Sequence, residues 1–285
     1  MRESYLLTFR SVNVDLTTVA IAPDRVVMSV KRHYLAVLIL VIAGVAHAEG
    51  TLERVPTRAG VTTSLFWESV PGAKATVLLF PGGNGGMGRV ENGRPSSGNF
   101  LVRSVPHFLA NGLDVAVFGL PSDMAGLDPW HRQSEEHVAD VRAVVEFLHK
   151  RSGRPVWLVG TSRGTTSVAA AGAALRGAPI AGLVFTSSMT SFRDTGAVAN
   201  RDLSGIRVPV LVYHHEKDEC HATRPQEASL IVKKLENAPV RKLVLAAGGA
   251  NPRGDPCGPF HWHGFIGMER RALDEIAAFI RAPAT

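Results

Sequence analysis

Six short apolar runs, rich in Val and Leu, recur from residue 75 onward and constrain the fold of this chain more than any other feature. Each run is continuously apolar rather than alternating with polar residues, which is typical of strands buried on both faces of a sheet. The pattern therefore predicts a central sheet that is covered on both sides. The runs are "ATVLLF" (75–80), "VAVF" (115–118), "VWLV" (156–159), "LVF" (183–185), "VPVLVY" (208–213) and "KLVL" (242–245).

Segments with helical spacing lie among these runs. Apolar residues recur every three or four positions within 138–148, 228–235 and 273–280. Strands that alternate with helices indicate βαβ units and a mostly parallel sheet with helices on both faces. The earlier run "VTTSLFW" (61–67) lies between turn-forming residues, so we interpret it as part of an antiparallel edge. Only about twenty residues separate the fourth and fifth of the six runs, too few for a large cap domain.

The stretch 28–48 has the plan of a secretory signal peptide, because a basic start precedes an apolar run over 34–45 and small residues follow. The apolar run is shorter than the ~20 residues that a membrane span needs, which favours cleavage after Ala48 over an uncleaved anchor. Signal peptides begin at the N-terminus, so residues 1–27 are interpreted as a non-native or mis-assigned extension. We expect a secreted or periplasmic protein in which residues 49–285 form a single α/β domain.

The composition excludes several classes of protein. A hydrophobic fraction of 45% with only two cysteines is that of a globular chain rather than a disordered or fibrous one. The formal net charge is +6, but there is no block of like charges and no basic stripe interleaved with aromatic residues. The sequence therefore does not indicate a nucleic-acid partner, and we interpret the basic excess as solvated surface.

A glycine-flanked serine follows the third apolar run. The sequence "GTSRG" (160–164) passes directly into a segment of small residues, "TTSVAAAGAAL" (165–175). A sharp turn from strand to helix lifts its central side chain above the sheet and tolerates only small neighbours. It would also put Ser162 at a helix N-terminus, where backbone N–H groups favour a developing negative charge. This context favours a nucleophilic Ser162 over an ordinary Gly-Ser turn.

A nucleophilic serine needs a base to accept its proton and a third group to orient that base. Asp218 follows the fifth apolar run, and His263 lies just before the C-terminal helical segment. The order Ser162, Asp218, His263 resembles the order of nucleophile, acid and histidine in the α/β-hydrolase superfamily. The resemblance extends from about residue 52 to 282 and implies an α/β-hydrolase fold similar to that of small, uncapped serine esterases.

Both downstream positions have rivals in the sequence. Glu216 and Glu219 lie beside Asp218, but the distance from the strand end in the resembling family selects Asp218. His261 competes with His263, which is nearer the helix and is followed by glycine, as in the family. For either histidine the alternative to a catalytic role is a structural one, as a buried residue whose hydrogen bonds are satisfied.

The resemblance also implies an oxyanion site formed by two backbone N–H groups. One belongs to Arg163, directly after the nucleophile, and the other to the glycine-rich turn "FPGGNGGMG" (80–88), with Gly83 preferred and Asn84 next. This glycine run lacks the Lys-Ser/Thr ending of a phosphate-binding loop and the spacing of a dinucleotide site, so nucleotide binding is not indicated.

Two residues depart from the family pattern. His215 stands three positions before Asp218, where the family commonly has glycine, and Pro81 replaces the histidine that often opens the glycine-rich turn. The alignment is correspondingly less definite around Asp218 and Gly83.

The chain has two cysteines, Cys220 and Cys257, in the loops that carry the proposed acid and histidine. In an oxidising compartment such a pair favours a disulfide, worth roughly 4 kcal/mol in the chain-entropy model. The alternative is a zinc site, although the spacing fits no common zinc pattern. Its ligands would come from Cys220, His221, Cys257, His261 and His263.

The resemblance implies hydrolysis of a small-molecule or acyl ester through an acyl-enzyme on Ser162, without a cofactor. His263 would act as base and Asp218 would orient it. Two alternatives stay open: amide hydrolysis or acyl transfer by the same triad, and a non-catalytic binding protein of the same fold. The polar run "TSSMTS" (186–191) and the segment "DPWHRQSEEH" (128–137) are each interpreted as the edge of a substrate pocket or a plain surface loop.

Overall fold

A computed structural model of the protein describes residues 49–284. The signal peptide at 28–48 and the extension at 1–27 lie outside the described residues and stay predictions. The described strands are β1 (Thr51–Arg58), β2 (Val61–Glu68), β3 (Ala75–Phe80), β4 (Val90–Glu91), β5 (Arg94–Pro95), β6 (Leu113–Pro121), β7 (Val156–Ser162), β8 (Ile180–Ser188), β9 (Val210–His215) and β10 (Arg241–Ala246). The described helices are α1 (Phe100–Arg103), α2 (Val105–Ala110), α3 (Glu135–Ser152), α4 (Gly164–Ala174), α5 (Ala228–Lys234) and α6 (Glu269–Arg281).

Eight of the strands form one sheet in the order β1-β2-β6-β3-β7-β8-β9-β10. The first three pair antiparallel, and every pairing from β6 to β10 is parallel. The short strands β4 and β5 form a separate hairpin. The mostly parallel sheet and the antiparallel edge confirm the fold class predicted from the apolar runs.

Alternate residues of the central strands enter two separate hydrophobic cores. In β3, Val77 and Leu79 pack with α1, α2 and α6, whereas Leu78 and Phe80 pack with α3, α4 and α5. Both faces of the strand are covered, which explains why its sequence is apolar without alternation. Helix α3 ends at Gly153, whose φ of +66° is the left-handed conformation that glycine adopts readily at a helix end.

The parallel strands bring their carboxyl ends to one edge of the sheet, the usual location of sites in open α/β folds. Between β8 and β9 the chain forms only loops and a 3-10 turn at Val198–Asn200, so no cap domain is inserted there, as predicted. No helix within residues 49–284 combines the length and apolar character required for a membrane span.

The outer strands differ from what the apolar pattern predicts. Strand β1, which the pattern does not indicate, pairs with β2 and leaves most of its side chains exposed or partly exposed. Strand β10 has an apolar sequence, yet Leu245 is 50% exposed because β10 is the edge of the sheet and has a neighbour on one side only. Burial on both faces is therefore a property of the inner strands.

Candidate active site

Ser162 is the last residue of β7 and lies two positions before the first residue of α4. Its φ is +52°, in the left-handed region that residues other than glycine rarely adopt. The chain is held in this conformation because β7 is paired on both sides, with β3 and with β8. The result is the sharp turn from strand to helix that the sequence predicts.

The two glycines of the motif are required by close backbone contacts. A Cβ at Gly164 would lie 2.0 Å from the carbonyl oxygen of Phe80, and a Cβ at Gly160 would lie 2.7 Å from the carbonyl oxygen of Gly164. Real Cβ atoms do not approach this closely, and the atoms they would meet are backbone atoms that cannot rotate away. Any side chain at either position would separate α4 from the sheet and displace Ser162.

Asp218 and His263 are brought together by the loops that follow β9 and β10. His263 Nδ1 lies 3.1 Å from Asp218 Oδ2, and both side chains are buried. Thr223 Oγ1 donates to Asp218 Oδ2 at 2.9 Å, and the backbone N–H of Cys220 donates to Asp218 Oδ1 at 3.0 Å. The buried carboxylate is thus bonded at both oxygens and oriented toward His263.

His263 is held at its ring and at its backbone. Its Nδ1–H donates to Asp218, which leaves Nε2 as the acceptor nitrogen, the form that a general base requires. The His263 carbonyl accepts a hydrogen bond from Ser187 Oγ at 2.8 Å. Gly264 follows because a Cβ there would lie 1.9 Å from the carbonyl oxygen of Pro259. The loop therefore has little freedom to move the imidazole.

A second histidine, His214, is buried near this pair. Its Nε2 accepts a hydrogen bond from the backbone N–H of Ser188 at 2.9 Å, which places its proton on Nδ1. Burial lowers the pKa of His214 to about 4, although the nearby charge of Asp218 acts in the opposite direction. His214 is therefore neutral at neutral pH and leaves the charge of Asp218 available to His263.

The rival residues form a looser pair elsewhere. His261 Nε2 lies 3.8 Å from Glu219 Oε2, and the Glu219 side chain is 65% exposed. Glu216 is exposed as well. Neither rival carboxylate contacts His263, whereas Asp218 is buried against it. The geometry favours Asp218 and His263, whose catalytic roles stay predictions.

Ser162 and His263 line the same cavity, which has a volume of about 300 Å³. No hydrogen bond joins the two side chains in this structure. Contacts between nucleophile and base are often longer before substrate binds and shorten in the complex. The cavity is lined mainly by small residues, together with Phe100 and Pro259. Its other lining residues are Gly82, Gly83, Ser97, Gly98, Asn99, Thr161, Cys257 and Gly264.

The glycine-rich turn lies directly against the serine. A Cβ at Gly82 would be 2.9 Å from Ser162 Cβ, and Gly83 adopts a φ of +58° at the cavity wall. The backbone N–H groups of Gly83 and Arg163 donate to no main-chain carbonyl of the described turns and loops. This is compatible with the oxyanion role that the resemblance implies for them, which stays a prediction.

A disulfide joins Cys220 to Cys257 across 37 positions of sequence. Cys220 is two residues after Asp218, and Cys257 lines the cavity. The bond fastens the loop of the acid to the loop of the histidine. The two sulfur atoms and His221 Nδ1 lie within 4.8 Å of one another. Zinc binds thiolates, which bonded cysteines cannot supply, so this donor set does not fit zinc while the disulfide is intact.

The departure at His215 has a structural explanation. Its ring stacks on Trp262, with centroids 4.8 Å apart, and its Nε2 donates to the carbonyl oxygen of Gly248 at 3.0 Å. Its Nδ1 accepts from the backbone N–H of Lys217 at 3.0 Å, which fixes the turn that leads to Asp218. His215 therefore fastens the end of β9 to the histidine loop.

Sequence reasoning missed three residues that support the site. Thr223 bridges the pair, since its Oγ1 contacts Asp218 Oδ2 and lies 3.1 Å from His263 Nδ1. Ser187 bonds the His263 carbonyl, and Arg132 is buried beside the glycine-rich turn. None of them belongs to a recognisable motif. For Ser187 and Arg132 the signal was their location in 186–191 and 128–137, two segments interpreted as pocket edge or surface loop.

Comparisons with known proteins support the fold. No family model matches the sequence, and no curated protein is detectably similar to it. Among solved structures, an α/β serine hydrolase without a lid from Xanthomonas campestris is 18% identical, with a TM-score of 0.55 over 84% of this chain and 97% of the other. An esterase of Pyrococcus furiosus is 14% identical, with a TM-score of 0.59 over 82% of this chain and 90% of the other.

A third similar structure is a cold-adapted esterase from an Arctic intertidal metagenomic library, which is 18% identical. Its TM-score is 0.54 over 80% of this chain and 92% of the other. The protein therefore has an α/β-hydrolase fold, and the fold that the resemblance in the sequence implies is confirmed. At this level of identity the likeness defines the fold, and the activity has to be argued from the site.

Proposed function

We propose that the protein is a serine hydrolase that cleaves carboxylic esters through an acyl-enzyme on Ser162. One observation carries the proposal: Ser162, held in a left-handed turn at the head of α4, lines the same cavity as a histidine that is paired with a buried aspartate. A turn that strains the nucleophile and presents it at a helix N-terminus is the arrangement that acyl transfer uses.

The proposed reaction begins when His263 Nε2 accepts the Ser162 proton as the serine oxygen bonds to the substrate carbonyl carbon. The carbonyl oxygen becomes an oxyanion and is stabilised by the Gly83 and Arg163 N–H groups. The intermediate collapses to the acyl-enzyme, and the imidazolium protonates the departing alcohol. Asp218 stabilises the imidazolium and keeps its proton on Nδ1. A water molecule, activated by the same histidine, then releases the acid and restores Ser162.

The choice of an ester rests on two supports. Two of the similar structures are described as esterases, and a third is described as a serine hydrolase without a lid. The cavity, about 300 Å³ in volume, opens at a sheet edge where the described chain inserts no cap domain. We therefore propose esters with small acyl groups as substrates.

A fluorophosphonate probe tests the nucleophile directly, because the serine oxygen displaces fluoride from phosphorus only when it is activated. We expect one phosphonyl group per molecule of wild-type protein and none in Ser162→Ala. The matched control is Ser97→Ala, which removes another serine of the same cavity and should still be labelled. A folded wild-type protein that stays unlabelled would contradict the enzyme and favour a binding protein.

Hydrolysis of p-nitrophenyl esters of increasing chain length tests the substrate class. We expect activity on the acetate and butyrate esters and a decline at longer chains. Asp218→Asn should lower kcat by about 10⁴-fold, because the amide disfavours the productive tautomer of His263. Labelling by the phosphonate without turnover of any ester would point instead to amide hydrolysis or acyl transfer.

We also propose that the mature protein is secreted or periplasmic, on the support of the signal-like segment 28–48. N-terminal sequencing of protein from the extracellular or periplasmic fraction tests this, with Glu49 expected as the first residue. A mature N-terminus within residues 1–27 would contradict it.

A further inference from the structure

Arg132 is among the largest side chains that are fully buried in the described part of the chain, and its exposure is 0%. Its guanidinium donates hydrogen bonds to four acceptors, all of them neutral. These are the carbonyl oxygens of Leu127 (3.1 Å), Pro81 (3.0 Å) and Gly83 (3.3 Å) and the hydroxyl oxygen of Ser167 (2.9 Å).

A buried cation without a paired carboxylate is costly to maintain. Burial, to which the positive charge of Arg163 adds, lowers the pKa of Arg132 to about 9, so the group remains protonated at neutral pH. The acidic group that acts on this pKa is Asp128, an exposed residue whose carboxylate accepts from the backbone N–H of His131. The free-energy cost of burying the Arg132 charge is not offset by an ion pair, which suggests that the charge serves a function.

Two of the four acceptors belong to the turn that carries the proposed oxyanion donor. Arg132 Nη2 binds the carbonyl oxygens of Pro81 and Gly83, and the backbone N–H of Gly85 binds the carbonyl oxygen of Gly82. All three carbonyl oxygens of 81–83 are thus occupied. The peptide that carries the Gly83 N–H is held through its Gly82 carbonyl by Gly85, and Arg132 holds the peptides on either side of it. Because a peptide's C=O and N–H point in opposite directions, this arrangement prevents a flip that would aim a carbonyl oxygen at the oxyanion.

A third acceptor, Ser167, lies in the first turns of α4, the helix that begins just after the nucleophile. Arg132 Nη1 donates to Ser167 Oγ, which also shares a hydrogen bond of 2.9 Å with His137 Nε2. Burial, together with the charge of Arg132, lowers the pKa of His137 to about 3, so His137 remains neutral. The guanidinium therefore ties the glycine-rich turn to the helix of the nucleophile.

We propose that Arg132 is a positioning residue for acyl transfer, which holds the oxyanion turn against α4 and supplies a positive charge behind it. This inference rests on the proposed function. When the substrate carbonyl becomes an oxyanion, the guanidinium gains the negative charge that it lacks in the resting protein. Its effect is then larger in the transition state than in the substrate complex, which raises kcat rather than lowering KM.

The test compares Arg132→Met, Arg132→Lys and a matched control, Arg154→Met. Arg154 is partly buried, pairs with Asp114 and bonds the Ala73 carbonyl near the first residues of β3 and β7, at the opposite edge of the sheet from the candidate site. Folding is checked by circular dichroism. Activity is measured as kcat and KM for p-nitrophenyl acetate and as the rate of Ser162 phosphonylation.

We expect Arg132→Met to lower kcat and the phosphonylation rate by about 100-fold or more, the range found for losing an oxyanion donor, with KM changed less than about threefold. Arg132→Lys keeps the charge but has fewer donors, so a loss of about 10-fold is expected. Arg154→Met should unfold more easily and keep the kcat of the wild type.

A folded Arg132→Met protein with the kcat of the wild type would overturn the inference. If that variant does not fold, Arg132→Lys decides, and an unchanged kcat would overturn it equally. These outcomes differ from failure of the proposed function. A wild type that is not phosphonylated at Ser162 contradicts the hydrolase itself, whereas a reactive wild type and an equally reactive Arg132→Met contradict only the role of Arg132.

Discussion

Thr223 donates a hydrogen bond of 2.9 Å to the carboxylate of Asp218, and both residues are buried. The hydroxyl also lies 3.1 Å from His263 Nδ1, so it is in contact with both the carboxylate and the imidazole. The relative orientation of Asp218 and His263 therefore also depends on Thr223, which the sequence motif does not identify.

Thr223→Val replaces the hydroxyl with a methyl group of similar size and removes a donor from Asp218. We expect the free energy of unfolding to fall by about 1.5–3 kcal/mol, because a bond to a charged group is lost. We expect kcat to fall by about 10-fold, since the carboxylate orients the base less well. Denaturant unfolding and ester hydrolysis measure the two effects. Thr223→Ser, which keeps the hydroxyl, should retain most of both, and equal losses in the two variants would contradict this explanation.

Gly164→Ala tests the contact between α4 and the sheet. The added Cβ would lie 2.0 Å from the carbonyl oxygen of Phe80, so helix and strand must separate. We expect a loss of about 3 kcal/mol or more in the free energy of unfolding, at the upper end for overpacked sites, and loss of activity. Gly126→Ala is the control, because its Cβ would make an ordinary contact of 3.4 Å with Asn84. Similar melting temperatures for the two variants would disprove the close contact.

The double variant Cys220→Ser, Cys257→Ser tests the disulfide. Removing a bond that closes a loop of 37 residues should cost about 4 kcal/mol in the free energy of unfolding. We also expect a lower kcat with a smaller change in KM, because the loops of Asp218 and His263 lose their connection. A reducing agent should have the same effect on the wild type and none on the double variant. A double variant as active and stable as the wild type would show that the disulfide contributes neither to stability nor to activity.

Two of the buried histidines, His137 and His214, predict that acid destabilises the protein. Their pKa values are lowered to about 3 for His137 and about 4 for His214. In the unfolded chain a histidine titrates near pH 6.5, so the unfolded state binds more protons below that pH. The stabilisation is complete above about pH 6.5 and is lost as pH falls toward the folded values, by about 1.4 kcal/mol per pH unit for each histidine.

Denaturant unfolding between pH 4 and 7 measures this dependence. His137→Gln provides an amide that can still bond Ser167. It should reduce the slope of the unfolding free energy against pH by about 1.4 kcal/mol per pH unit, the contribution of one histidine. An equal slope in the wild type and His137→Gln would show that His137 is not kept neutral.

The sequence predicts the inner sheet well because burial on both faces leaves a local pattern. The run at 75–80 coincides with β3, and the turn at Ser162 is encoded by neighbouring glycines. Strand β1 was not predicted because its exposed side chains carry no apolar pattern, and its pairing with β2 decides its conformation. The exposure of Leu245 depends on the position of β10 in the sheet, which a short window cannot reveal.

The candidate site, like the fold, could be predicted only in part. Ser162, Asp218 and His263 follow from order and local turns, and the pairing of Cys220 with Cys257 follows from their being the sole candidates. Arg132 and Thr223 could not be predicted, because their contacts join partners distant in sequence or depend on the path of an irregular loop. Arg132 meets Pro81 across 51 positions. Its sequence context, between His131 and Gln133, is typical of exposed polar loops.

The disulfide between Cys220 and Cys257 also bears on how this region opens. In most proteins, loops fluctuate independently and expose their amides to solvent at different rates. Here a covalent bond joins the loop after β9 to the loop after β10, so neither can move far unless the other follows. The two loops should form one cooperative unit in amide hydrogen exchange, and the Asp218–His263 contact would be lost or retained as a whole.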